Sequence, residues 1–217
     1  MLGKSYDKED LEDVMENLGC MLACSDFVGM TPSEVWDLFL NSYIPDKIEL
    51  GDPRYVVGMS GSEYLLLILE DNLELFEGLR EKLRSNMIDN DRCLWAGYAM
   101  ARLQYETTMP FRELNKYIPI DYVLSIFNPL HEADLSKFVD IANERIYRLK
   151  GNSLKNMRKR CGYTQKDLAR VADVDIRNIQ MYEQRKNDIN KASVDILDRL
   201  SKALHCSIYD LLERTIM

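Results

Sequence analysis

The stretch YTQKDLARVADVDIRNIQMYEQ, residues 163–184, decides how this 217-residue chain is interpreted. Thr164 is followed three positions later by Asp167, which is the pattern of a helix N-cap, and Asp175 is placed to cap a second helix. Asp173 lies between them, where a tight turn needs a residue that tolerates a left-handed backbone. The pattern therefore predicts two short helices joined by a turn.

The apolar residues of this stretch predict one shared core. Ala169 is small, which lets the two helices approach each other where they cross. The predicted apolar skeleton consists of Leu168, Ala169, Ala172, Val174, Ile179 and Tyr182. With these side chains directed inward, the intervening positions of the second helix face outward. Those outward positions are Ile176, Arg177, Asn178, Gln180 and Met181.

The flanking sequence extends the helical pattern. A helix over about 153–161 is predicted to begin after a cap at Asn152 or Ser153 and to end at Gly162. Residues 153–213 resemble the Cro/cI-type helix-turn-helix family, also called the XRE family. The matching residues are Leu154, Thr164, Gln165, Leu168, Ala169, Val174, Ile179, Tyr182, Glu183, Leu197, Leu200, Leu204, Leu211 and Leu212. The resemblance implies a five-helix lambda-repressor-like domain that binds DNA.

Three features of this segment depart from the family pattern. Asp173 replaces the turn glycine, and Arg185 replaces the glycine that follows the Tyr182-Glu183 pair. The loop over 184–192 is also longer than is common. These departures concern the loop conformation and the phosphate contacts rather than the fold.

The resemblance implies that the second helix reads DNA bases. Arg177 and Gln180 carry the chemistry to recognise guanine and adenine edges respectively. Ile176 and Met181 are expected to contact thymine methyl groups. We therefore expect base recognition from one exposed face of this helix.

Other residues are expected to position the domain on the DNA backbone. Gln165 begins the first helix of the pair, and Arg185 and Lys186 follow the second, where each is expected to bind a phosphate. Thr164 and Asp175 are expected to be helix caps with a possible DNA contact. A further basic cluster is interpreted either as a phosphate-binding surface or as a solvated helix face: Lys155, Arg158, Lys159 and Arg160.

Charge is distributed unevenly along the chain, which has a formal net charge of -8. Residues 1–150 contain 15 Lys and Arg against 27 Asp and Glu, a net of -12. Residues 151–217 contain 13 against 9, a net of +4. This asymmetry predicts two domains with different partners, an acidic one at 1–150 and a DNA-binding one at 151–217.

The long N-terminal part is predicted to be all-α. Leu11, Val14, Met15, Leu18 and Leu22 recur at helical spacing. TPSEVWDLFL (31–40) carries a capping box with proline in the first turn, and a second box precedes the apolar run YLLLIL (64–69), which predicts a central buried helix. Only RYVV (54–57) has the composition of a strand. A final helical face is predicted at Leu135, Phe138, Val139, Ala142, Ile146 and Leu149.

The sequence carries no recognisable catalytic motif: it has no glycine-rich phosphate loop, no nucleophile elbow and no HExxH pair. His131 is interpreted as a first-turn helix residue rather than a general base. The acidic run DKEDLEDVMEN (7–17) is interpreted as a solvated helix face rather than a metal or partner site. We therefore predict no enzyme activity and no cofactor. We also predict no metal site, since five scattered cysteines and two histidines do not give zinc-ligand spacing.

The chain start has no apolar region typical of a secretory signal, and no apolar run is long enough to cross a membrane. A cytoplasmic protein without disulfides is therefore predicted. A single helix-turn-helix domain binds weakly, so we expect a homodimer on an inverted repeat in double-stranded DNA. The leading hypothesis is an antitoxin that autorepresses its operon and uses its acidic domain, residues 1–150, both to neutralise a toxin and to dimerise. The alternatives are a stand-alone repressor that senses a small ligand and, less favoured, an enzyme fused to a DNA-targeting domain.

Overall fold

The computed structural model describes residues 6–85 and 90–213, and in these residues all regular structure is helical, without a β-strand. The all-α prediction is confirmed. The helices before residue 151 are α1 (Leu11–Ala23), α2 (Pro32–Asn41), α3 (Ile44–Glu49), α4 (Pro53–Val56), α5 (Gly61–Ile68), α6 (Leu73–Ser85), α7 (Asp91–Thr107), α8 (Phe111–Tyr117), α9 (Ile120–Ser125), α10 (Phe127–Leu130) and α11 (Leu135–Lys150). The later helices are α12 (Ser153–Arg160), α13 (Gln165–Ala172), α14 (Ile176–Glu183), α15 (Val194–Ala203) and α16 (Ile208–Leu211). Short 3₁₀ helices occur at Cys24–Val28 and Ile189–Lys191.

The chain divides into two units by its internal contacts, Met1–Ala142 and Asn143–Met217. The dividing point falls within α11, whereas the sequence predicts a domain boundary after residue 150. The two units have net charges of opposite sign. The first unit contains 12 Lys and Arg against 26 Asp and Glu, a net of -14, and the second contains 16 against 10, a net of +6.

Helices α1 and α7 pack closely in the first unit because glycines face each other at their crossing. A methyl group on Gly97 of α7 would collide with the backbone of Gly19 of α1, and one on Gly61 of α5 would collide with the backbone of Asn17. Val14 and Leu18 of α1 are completely buried. The missing side chains thus allow three helices to share one apolar interior.

A cluster of buried aromatic rings lies beside this interior. Trp36, Phe39 and Phe111 are completely buried, and their ring centroids are 5.0–6.0 Å apart. The indole nitrogen of Trp36 donates a hydrogen bond to Asn115 Oδ1 at 3.0 Å, so the one polar atom of the ring is satisfied. These three rings are therefore core residues of the first unit.

Helix starts agree with the sequence pattern. The Thr31 hydroxyl accepts from the backbone nitrogen of Glu34 at 3.2 Å, while the Glu34 carboxylate accepts from the Thr31 backbone nitrogen at 2.8 Å. Ser60 and Glu63 form the same reciprocal pair at the start of α5. Both predicted capping boxes are confirmed.

The structure corrects three local interpretations of the N-terminal sequence. Tyr55 and Val56 belong to α4, not to a strand, because Asp52 caps this turn and Pro53 occupies its first position. The α5 run is not buried on every side, since half of YLLLIL, residues 66–68, is only partly buried. Leu149 is 54% exposed and does not continue the buried face of α11.

The second unit contains its own apolar core. Leu154 of α12, Leu168 of α13 and Ile179 of α14 are completely buried and pack with α15 and α16. The full buried set is Leu154, Leu168, Ala172, Val174, Ile179, Tyr182, Ile189, Leu197, Leu200, Ala203, Leu204 and Leu211. Five α-helices surround this core, in agreement with the predicted domain architecture.

Candidate nucleic-acid interface

The turn between α13 and α14 is fixed by backbone and side-chain hydrogen bonds. Asp173 adopts a left-handed conformation with φ 51° and ψ 47°, and the following Val174 nitrogen donates to Ala169 O at 3.1 Å. Arg199 of α15 donates to the Asp173 carbonyl at 2.9 Å and to its carboxylate at 3.1 Å. The left-handed residue expected at this turn is therefore present, and a neighbouring helix supports it.

Two side-chain caps define where the paired helices begin. The Thr164 hydroxyl and the Asp167 carboxylate form a capping box, in which Thr164 Oγ1 accepts from the Asp167 nitrogen at 3.1 Å. The Asp175 carboxylate accepts from the Arg177 nitrogen at 2.7 Å. Both predicted caps are confirmed; DNA contacts by Thr164 and Asp175 stay predictions. The start of α14, where base contacts are expected, is thereby held in a defined conformation.

The predicted base-reading residues share one face of α14. Ile176 and Gln180 are four positions apart, as are Arg177 and Met181, so the four side chains form two adjacent pairs. Arg177 is exposed, and the other three are partly buried. The opposite face carries Ile179 and Tyr182 into the core. The structure thus presents these four side chains together on one capped helix, and their base contacts stay predictions.

Gln165 is held by a contact within the protein. Its side-chain nitrogen donates to Glu183 Oε2 at 2.8 Å, which connects the start of α13 to the end of α14. The side chain is partly buried. Phosphate binding by Gln165 stays a prediction, and its backbone nitrogen at the first position of α13 offers a second donor for it.

A buried ion pair, which the sequence did not reveal, connects α12 to the end of α14. Arg158 donates to Glu183 through Nε at 2.6 Å and through Nη2 at 3.0 Å, and through Nη1 to the Tyr163 carbonyl at 2.6 Å. Side-chain exposure is 10% for Arg158 and 3% for Glu183. Arg158 is thus directed inward, which contradicts its interpretation as part of a phosphate-binding or solvated surface.

This ion pair keeps Glu183 charged in spite of its burial. Burial alone raises the pKa of the carboxyl, but hydrogen bonds from Arg158 and Gln165 and the positive charge of Arg158 outweigh it. The pKa of Glu183 is therefore lowered. The paired carboxylate fixes the last turn of α14 against both α12 and α13.

Arg185 follows α14 and adopts a left-handed backbone with φ 56°. Its guanidinium donates to Glu213 Oε2 at 2.9 Å and to the Gly151 carbonyl at 2.8 Å, and it lies 3.7 Å from the centroid of the Tyr147 ring. Glu213 is itself buried and also accepts from Asn152 at 2.7 Å. The guanidinium is therefore engaged inside the unit, in a position where the sequence predicts a phosphate ligand.

The remaining predicted phosphate ligand, Lys186, is exposed. Lys155, Lys159 and Arg160 on α12 are exposed as well. These four cations, unlike Arg158 and Arg185, have their charged ends available to a polyanion. The exposed members of the predicted phosphate-binding set thus lie just after α14 and on α12.

The N-terminal unit does not show a metal centre in the part of the chain that the structure describes, where three or more suitable His, Cys, Asp or Glu side chains do not come together. His131 follows α10 as its C-cap, not in a first helical turn, and its ring stacks on Phe127 at 4.5 Å. Over residues 6–85 and 90–213, each helix is too short or too polar to traverse a lipid bilayer.

Comparison with known families identifies the C-terminal segment. Residues 154–211 match the family model described as helix-turn-helix, which covers α12 from its second residue through α16. The match includes the turn at Asp173 and the whole of α14. Neither curated proteins nor solved structures give a significant match to the chain.

Proposed function

We propose that this DNA-binding transcription regulator, which has an XRE-family helix-turn-helix domain at residues 154–211, acts as the antitoxin of a toxin–antitoxin pair. It binds its own operator as a homodimer on an inverted repeat and neutralises its toxin through the N-terminal unit. The site of action is the cytoplasm.

The exposed face of α14 supports the operator-binding part of this proposal. Arg177 and Gln180 are suited to bidentate contacts with purine edges, and Ile176 and Met181 are suited to thymine methyl groups. The caps at Thr164 and Asp175, together with the Arg158–Glu183 pair, limit the movement of this face. Specific recognition requires such a fixed orientation, because each base contact depends on hydrogen-bond geometry.

The separation of charge carries the partner-binding part. The unit with α14 has a net charge of +6, whereas the N-terminal unit has a net charge of -14. A strongly acidic surface attracts and orients a basic partner, including a toxin that has a nucleic-acid or nucleotide site to be covered. We therefore assign DNA to the C-terminal unit and the protein partner to the N-terminal unit.

The test compares full-length protein with the product of the adjacent gene. Residues 1–150 are expected to bind this product and relieve its toxicity on co-expression, while residues 151–217 bind promoter DNA only weakly. Full-length protein should sediment as a dimer and bind the promoter more tightly than the tail, with steep salt dependence. A tail that binds as tightly as the whole chain contradicts the dimerisation role of the N-terminal unit.

A second candidate function is a stand-alone repressor regulated by a small ligand. A cleft of about 380 Å³ in the N-terminal unit favours it, since this volume falls in the range of ligand pockets. The two functions differ in one outcome. If residues 1–150 bind a metabolite that raises their melting temperature and do not bind the neighbouring gene product, the repressor hypothesis replaces the antitoxin hypothesis.

A further inference from the structure

The cleft in the N-terminal unit contains a partly buried carboxylate, that of Glu49. Its lining consists of Asp46, Glu49, Leu50, Gln104, Thr108 and Pro110, and we refer to it as the Glu49 cleft. Glu49 is partly buried, and one of its oxygens accepts from the Phe111 nitrogen at 2.7 Å. Among the described residues no Lys or Arg forms an ion pair with it.

Arg112, whose positive charge acts on Glu49, makes its hydrogen bonds to other groups. Arg112 pairs with the Asp46 carboxylate and donates to the carbonyls of Leu40 at 2.7 Å and Ser42 at 2.6 Å. These contacts use all three nitrogens of its guanidinium. Asp46 is therefore compensated within the protein. Burial raises the pKa of Glu49, which the Phe111 nitrogen and the charge of Arg112 only partly offset, and one oxygen of Glu49 stays free of hydrogen bonds from described residues.

A buried amide supplies a second recognition group. Gln104 is only 1% exposed, and its Oε1 accepts from the Tyr6 hydroxyl at 3.0 Å. This bond fixes which way the amide faces, and its Nε2 donates to no described residue. Gln104 also lines the cleft, so its amide nitrogen can donate to an acceptor there, from solvent or from a ligand.

The cleft lining also has an apolar part and a residue with an uncommon backbone conformation. Leu50 and Pro110 add apolar surface to the lining. Thr108 holds a left-handed backbone with φ 53°, which is rare for a β-branched residue and persists only where its surroundings impose it. The Thr107 hydroxyl supports this turn by donating to the Leu103 carbonyl and accepting from the Met109 nitrogen.

We propose that the Glu49 cleft binds a small organic cation, namely a primary ammonium or guanidinium group whose carbon chain also carries a carbonyl or hydroxyl oxygen. Glu49 accepts from the cation, Gln104 donates to the oxygen, and Leu50 and Pro110 contact the chain between them. The group belongs either to a free metabolite or to a lysine or arginine side chain of a partner protein. This proposal deepens the second candidate function, because it names the ligand class for the same cleft, and it does not depend on DNA binding.

Isothermal titration of the full-length chain tests this site with three probes. The first is 4-aminobutanamide, the second is pentylamine, which lacks the oxygen, and the third is the capped tripeptide acetyl-Gly-Lys-Gly-amide. We expect 4-aminobutanamide to bind about fivefold more tightly than pentylamine, the equivalent of one neutral hydrogen bond. Tighter binding of the tripeptide identifies a partner side chain as the source, and tighter binding of the free amide identifies a metabolite.

Two variants and a matched control assign the binding to the cleft. Glu49→Gln keeps an acceptor for the Phe111 nitrogen but removes the charge, and should weaken 4-aminobutanamide by about tenfold. Leu50→Arg, at a position that is 77% exposed, places a tethered cation at the entrance and should also weaken it. Asp140→Asn removes one exposed charge elsewhere in this unit and should leave binding within about twofold of the original.

Three results overturn the proposal. The first is absence of heat from all three probes. The second is equal weakening by Glu49→Gln and Asp140→Asn, which indicates unspecific attraction to an acidic unit. The third is equal affinity for 4-aminobutanamide and pentylamine, which removes the role of Gln104. None of these results bears on whether the chain binds its operator or a toxin, so the two proposals fail separately.

Discussion

Replacing Arg158 by alanine is expected to destabilise the C-terminal unit by about 3 kcal/mol. Its guanidinium gives Glu183 two hydrogen bonds, and both side chains are nearly buried, with exposures of 10% and 3%. Removing one member of a buried pair costs about 3–5 kcal/mol, because the other charge remains desolvated. We take the lower end, since Gln165 still donates to Glu183 at 2.8 Å.

Hydrogen exchange of the full-length protein, followed by mass spectrometry, measures this loss in the C-terminal unit alone. A domain of this size has a stability of roughly 6 kcal/mol, so Arg158→Ala removes about half of it. Exchange of the core amides in 154–211 should accelerate about 100-fold. Lys202→Ala serves as the control, because Lys202 forms a pair with Asp198 in which the side chains are 75% and 44% exposed.

A loss below about 1 kcal/mol, or an equal loss in Lys202→Ala, refutes the reasoning. A double variant separates charge from packing. Arg158→Met with Glu183→Leu removes both charges and fills similar volume, so it should recover most of the lost stability. If the double variant stays as unstable as Arg158→Ala, the hydrogen bonds to Gln165 and Tyr163 matter more than the unpaired charge.

Four further outcomes follow from the same unit. Because the pKa of Glu183 is lowered by folding, its stabilisation is present above the unfolded pKa of about 4.3 and is lost as the pH falls through the folded value; an acid titration followed by circular dichroism checks this. Arg177→Ala should cost about 1–3 kcal/mol on the operator and relax one base position per half-site, and an unchanged preference in selections from randomised DNA means that another side chain reads that base. Lys186→Ala should reduce the slope of log affinity against log salt by about 0.9, whereas Arg185→Ala should lower the melting temperature with a smaller change of slope. Asp173→Ala should destabilise the unit by about 1 kcal/mol because of its left-handed backbone, and Asp173→Gly, compared by the same thermal melts, should not.

The features that the sequence predicted correctly are local ones. A capping box joins residues three positions apart, so it can be identified from the sequence without knowledge of the fold. The structure contains the predicted boxes of Thr31 with Glu34 and of Thr164 with Asp167. The left-handed backbone of Asp173 can be predicted for the same reason, because a tight turn between two capped helices constrains the backbone conformation of a single residue. Periodicity then assigns the inward face of α14, and the outward face follows by exclusion.

The contacts that the sequence did not reveal join residues far apart in the chain. Arg158 and Glu183 are 25 positions apart, and Arg185 and Glu213 are 28 apart. An arginine in a basic cluster has the same local pattern whether it faces solvent or a buried carboxylate, so composition alone assigned Arg158 to the surface. The Glu49 cleft could not be predicted for the same reason: Gln104 and Glu49 come from different helices, and neither residue belongs to a motif.

The net charge of the whole chain is a poor guide to what it binds. At physiological ionic strength the interaction between exposed charges is screened over about 8 Å, so a phosphate responds to the side chains next to it. Arg177 on α14 and Lys186 just after it are exposed cations, and the unit that contains them carries +6. The -14 of the other unit matters for DNA only through charges that come within the screening distance. An acidic protein can thus hold a DNA-reading helix, provided that its negative charge is concentrated in a unit that has a different partner to attract.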